Sequence, residues 1–118
     1  MKQMIAWLAT LLLISGAAWA APKSLEQRVS EELAIYTEAL ALNEEQAAAF
    51  EAALTKKITI GREAYEIKKG GDEVKGKKMN QAAGKEFNQM MKETLTKQQM
   101  KTYRANKDEI KEAIKNSR

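Results

Sequence analysis

Histidine and cysteine are both absent from the 118 residues, and proline occurs once, as Pro22. Without cysteine there is no disulfide framework, no thiolate nucleophile, no thiolate metal site and no cysteine to carry a bacterial lipid anchor. Without histidine there is no imidazole ligand, and the commonest general base is missing. Glycine is scarce too, and Gly70-Gly71 lacks the spacing of a phosphate-binding or dinucleotide-binding loop. These absences exclude a His- or Cys-dependent enzyme. What is abundant is Ala, Glu, Lys, Gln, Leu and Met, all helix formers. An all-β fold is therefore disfavoured, and the length fits a single domain, which typically takes about 100–200 residues.

The chain opens with Met1-Lys2-Gln3, an apolar run from Met4 to Ile14, and the small-residue stretch Ser15-Gly16-Ala17-Ala18-Trp19-Ala20. A positive start, a short apolar core and an A-x-A site read as a secretory signal peptide over residues 1–20. A membrane helix needs about 20 apolar residues, more than this run supplies. Cleavage after Ala20 leaves Ala21–Arg118 as one all-α domain and removes both tryptophans, Trp7 and Trp19. The exported chain has no cysteine to oxidise, so packing alone must hold it.

Charge is segregated. Ala21–Thr55 carries 2 basic and 7 acidic residues, net −5, and Lys56–Arg118 carries 17 basic and 9 acidic, net +8. Such a split can join two copies head to tail or present a basic face to acidic partners. Export argues against nucleic acid as the partner.

Four amphipathic segments follow the leader. The first, about Leu25–Ala41, starts at a Ser24 cap with Gln27 as reciprocal partner and aligns Leu25, Val29, Leu33, Tyr36 and Leu40 on one face. The second, Glu44–Lys69, aligns Ala47, Phe50, Leu54, Ile58, Gly61 and Tyr65, with Gly61 marking a close crossing or a bend. Gly70 is placed in the left-handed position after this helix, and Gly70–Lys78 is expected to be a loose hinge, with Asp72 able to cap what comes next. The third segment starts at Glu73 or Lys78 and ends at Thr94. The fourth runs from Lys97 to about Asn116, its narrow apolar face interrupted by Asn106 and Lys107.

Two short stretches share one plan. Leu42-Asn43-Glu44-Glu45-Gln46 and Leu95-Thr96-Lys97-Gln98-Gln99 lie 53 residues apart, each followed at the same offset by an aromatic, Phe50 or Tyr103. The plan is a helix start. Asn43 or Thr96 accepts from a free backbone N–H of the first turn, and Gln46 or Gln99 reaches back to the cap's own N–H. Leu42 and Leu95 precede their caps as hydrophobic staples, Leu95 towards Met100 and Leu42 more weakly towards Ala47.

An LTxxQ-type motif occurring twice in a small exported helical chain resembles the Spy/CpxP family of periplasmic stress proteins. The second copy matches the pattern fully, and the first has Asn43 where the family has Thr, a replacement that preserves capping. The resemblance implies a thin, curved, all-helical homodimer in the periplasm, acting as an ATP-independent chaperone or as a regulator of envelope-stress signalling. It implies a concave basic and apolar face that holds unfolded proteins. Leu42, Asn43, Gln46, Leu95, Thr96 and Gln99 carry over as structural positions. The zinc bound through histidine in some relatives does not carry over to a chain without histidine.

The functional expectation is a holding chaperone or stress-response protein. Its partners would be unfolded or envelope proteins met through Met79, Phe87, Met90, Met91, Met100 and Tyr103 set among basic residues. Alternatives are an adaptor for an envelope sensor and an envelope-surface binder using Lys68–Lys78, the latter weakened by Asp72 and Glu73. Cu(I) capture by Met79, Met90, Met91 and Met100 is disfavoured, since their spacing suits helix faces equally well. No cofactor, metal site or catalytic residue is expected. The acidic pairs Glu31-Glu32 and Glu44-Glu45 read as helix surface.

Overall fold

The computed structural model describes residues 23–118, so the expected signal peptide and its cleavage site lie outside the described residues. Four α-helices account for nearly all of this stretch: α1 (Leu25–Leu40), α2 (Glu44–Lys69), α3 (Glu73–Thr94) and α4 (Lys97–Ser117). The fold is all-α, with no strand among the described residues.

Each helix starts where a side chain takes up a free backbone N–H. Ser24 accepts from the Gln27 amide at 3.1 Å, and Asp72 accepts from Lys75 at 3.0 Å. At Ser24 the expected return bond from the Gln27 side chain is not made, whereas at Asn43 and Thr96 both halves of the box are closed. α2 ends in a Schellman turn. Asp72 N–H bonds the Ile67 carbonyl, Gly71 N–H bonds the Lys68 carbonyl, and Gly71 takes the left-handed position at φ +107°. Gly70, expected in that conformation, is instead right-handed at φ −76°, one residue before it. The loose segment expected over Gly70–Lys78 is confined to Gly70–Asp72, because Asp72 caps α3 immediately and residues 73–78 are helical. α1 ends in the same 6→1 pattern, with Leu42 N–H on the Thr37 carbonyl, but the left-handed residue is Ala41 at φ 53°.

α2 and α3 form the most extensively packed pair, an antiparallel hairpin, while α1 packs on both α2 and α4. α4 leaves its corner with α3 and lies against α1 instead. Extended backbone at Leu95 and Thr96 (ψ 148° and 166°) turns the chain there. Close approach within the hairpin is secured by Gly76, which is buried. A Cβ there would lie 2.8 Å from the Ala64 carbonyl oxygen, whereas at Gly61 the nearest atom is an ordinary 3.7 Å away. The close-contact role expected of Gly61 therefore belongs to Gly76.

The core is built round three rings from three helices. Tyr36, Phe50 and Phe87 have centroids 5.2–5.7 Å apart, in tilted and edge-on arrangements that favour aromatic contact. Leu40, Leu42, Leu54, Met91, Leu95, Ile110 and Ile114 complete the cluster. The two ends are tied. Lys23 bonds both Glu31, at 2.6 Å, and the Ser117 carbonyl, and Arg62 holds the Lys23 carbonyl at 2.9 Å.

Candidate functional site

The two motif copies meet. Gln46 donates through Nε2 to Gln99 Oε1 at 2.7 Å, and Gln99 Nε2 returns the bond to Gln46 Oε1 at 3.0 Å. Each Nε2 has a second acceptor, the last carbonyl of the helix entering the opposite corner: Thr94 for Gln46 and Leu40 for Gln99, both at 3.1 Å. Each Oε1 accepts in addition from its own cap residue, Asn43 at 3.1 Å and Thr96 at 3.0 Å. The caps accept in turn from Gln46 and Gln99 backbone N–H groups at 2.8 and 3.1 Å. Both amides are thus fully bonded, two donors and two acceptor positions each. They also satisfy two helix-end carbonyls that an α-helix leaves without an internal partner. Leu42 and Leu95 are buried in the core cluster. The six motif residues form one interlocked corner joining all four helices.

Beside that corner a groove of about 420 Å³ opens between α2, α3 and α4. Its floor is aromatic and aliphatic, formed by Tyr36, Phe87, Tyr103 and Ile114. Its walls carry Lys57 from α2, Asn88 from α3, and Lys107, Lys111, Lys115 and Arg118 from α4. On α4 the residues Tyr103, Lys107, Lys111, Ile114 and Arg118 recur at helical spacing, so Lys107 continues the groove face rather than interrupting an apolar one.

The electrostatics follow from crowding. Burial pushes the half-buried Lys57 amine below the usual lysine value, Glu32 opposes this, and Arg118, Lys111 and Arg28 add to the depression. Lys57 Nζ also sits 4.8 Å above the Phe87 ring, a cation–π contact. Burial raises the Tyr36 phenol well above its ordinary value, assisted by Tyr103 and Glu32, and burial raises Tyr103 too. Glu32 was expected on the surface with Glu31, yet it is buried, because Arg28 pairs with it at 3.2 Å and both lean on the core.

The residues proposed from sequence for contact with unfolded proteins divide in two. Phe87 and Met91 are core, 4% and 1% exposed, so they offer little surface to an unfolded chain. Their position on the α2-facing side of α3 explains this, a feature that helical spacing alone does not reveal. Met79, Met90, Met100 and Tyr103 are half-buried. Met90 borders a smaller apolar cleft of about 200 Å³ between α2 and α3. Tyr65 and Val74 are well exposed and were not singled out for contact. Among the described residues no group of His, Cys, Asp and Glu could hold a metal ion. No helix there is long and apolar enough to cross a membrane. No family model, curated protein or solved structure matches the chain.

Proposed function

We propose that this chain is an exported, ATP-independent holding protein or envelope-stress-response protein of the Spy/CpxP kind, working in the periplasm on unfolded or envelope proteins. One observation carries the reading: the two LTxxQ-type stretches, Leu42–Gln46 and Leu95–Gln99, interlock through their glutamines to brace the four helices. A repeated motif that fixes four helix ends with its own side chains leaves the outer surfaces free to make loose contacts. Met79, Met90, Met100 and Tyr103, half-exposed among lysines, suit this use. Lysines attract acidic segments at long range, and flexible thioethers adapt to varied apolar groups. The exported chain acts as a homodimer in this reading, which solution mass by light scattering checks.

The test is suppression of aggregation of a reduced, unfolding protein by the mature chain without nucleotide. Suppression should be strong at low ionic strength and weaker as salt screens the charges. No suppression at stoichiometric excess rejects the holding role. Recovery of one defined membrane partner in a pulldown, with no suppression, favours the sensor-adaptor reading instead.

A further inference from the structure

We propose that the groove between α2, α3 and α4 is a binding site for an oligophosphate group, held by Lys57, Lys107, Lys111, Lys115 and Arg118. This site shares Tyr103 with the residues assigned to holding, but it does not depend on the holding role.

The groove carries positive charges that have no counterpart. None of these five side chains is in an ion pair with an acidic residue among the described residues. Asp108 and Glu112 stand three residues before Lys111 and Lys115, a spacing that permits pairing on a helix, and neither pair forms. Glu32, the carboxylate acting on Lys57, already pairs with Arg28. Lys107, Lys111 and Lys115 instead succeed one another at i, i+4, the arrangement in which like charges oppose helix formation. A row of cations kept against its own repulsion, over a floor of buried rings, is relieved by an anion.

The row also defines the anion. From Lys107 to Arg118 it extends about 16 Å along α4, too far for one phosphate to engage throughout. Ammonium groups act as compact point charges that suit phosphate oxygens, and Tyr103 and Asn88, which also line the groove, add neutral donors. The groove volume of about 420 Å³ accommodates a small molecule. Several phosphates in series, whether free or on a lipid headgroup, share the required chemistry. The lowered proton affinity of Lys57 fits a site in which bound anion replaces the missing counter-charge.

Calorimetric titration of inorganic tripolyphosphate at low salt, into protein expressed from the full-length sequence, tests this. One ion should bind per chain, about tenfold or more tighter than orthophosphate. The variant K107Q/K111Q/K115Q should lose about tenfold or more in affinity, and K75Q/K77Q/K78Q, which removes the same charge from the start of α3, less than about threefold. Equal losses in the two variants would mean diffuse attraction and overturn the site, as would absence of tripolyphosphate binding. Amide shift changes in the unsubstituted protein should map to Tyr103–Arg118. Mapping to Lys75–Lys78 would also overturn it. Vesicles containing cardiolipin, whose headgroup carries two phosphates, distinguish the sources. Binding that tripolyphosphate competes away identifies a headgroup ligand, and tripolyphosphate binding without vesicle binding identifies a free oligophosphate.

Discussion

At the corner, Gln46 and Gln99 give every polar atom of their amides a partner. In the groove, Lys107, Lys111, Lys115 and Arg118 face one another with no acidic partner among the described residues. Both places are polar and both lie on the same helices, yet one consumes all its bonding capacity internally and the other leaves it unspent. The difference separates a site that specifies the fold from one that is available to something else. Substitutions should therefore have opposite signs in the two places.

The largest effect is expected from Gln46→Glu. The carboxylate lacks the two N–H donors that reach Gln99 and Thr94 and turns a buried charge towards their oxygens. Urea unfolding at neutral pH should show a loss of about 3–5 kcal/mol, partly recovered as pH falls through the carboxyl range. Gln46→Ala and Gln99→Ala should each cost less. A double-mutant cycle should return a coupling of about 1–2 kcal/mol, because the pair bonds directly. Coupling near zero would show that the two corners act independently.

On the groove side, pH provides the lever. The folded chain keeps the Tyr36 proton above the usual phenol value near 10, whereas the unfolded chain releases it. Stability should therefore fall as pH rises past 10, by up to about 1.4 kcal/mol per pH unit. Tyr36→Phe should flatten that fall. Lys57 works the other way: folded, its amine gives up the proton below the usual 10.5, so stability rises with pH between the lowered and the usual value. That rising contribution should survive in Tyr36→Phe and disappear in Lys57→Met.

The remaining effects are smaller and favourable. Ala41→Gly relieves a left-handed residue next to the first corner and should stabilise by about 0.5–1 kcal/mol after the added freedom of the unfolded chain is subtracted. Lys111→Gln removes repulsion from both Lys107 and Lys115. It should raise stability by about 0.5 kcal/mol at low salt, an effect that vanishes at high salt.

Local chemistry was readable in the residues. Asn43, Asp72 and Thr96 set the starts of three helices, and the reciprocal glutamines close both boxes. These are bonds across three residues, which a linear pattern contains. The meeting of Gln46 with Gln99 spans 53 residues and has no such signature. Gly76 and Gly61 are alike in sequence, and only the approach of Ala64 tells which one must lack a side chain. Glu32 looked like half of a surface pair until Arg28 and the core enclosed it. Lys107 interrupts the apolar spacing of α4 because that side of the helix faces a groove rather than a core, and the distinction depends on where α2 and α3 lie.

The latch at Lys23 has a bearing on the order of assembly. It joins positions 94 residues apart, whereas the α2–α3 hairpin closes across a three-residue turn. Closing a short loop costs less entropy than closing a long one, so the hairpin should form early and serve as the template. The outer pair, α1 on α4, should arrive last and open first, and backbone amides near Lys23 and Ser117 should exchange with solvent water before those around Phe50 and Phe87.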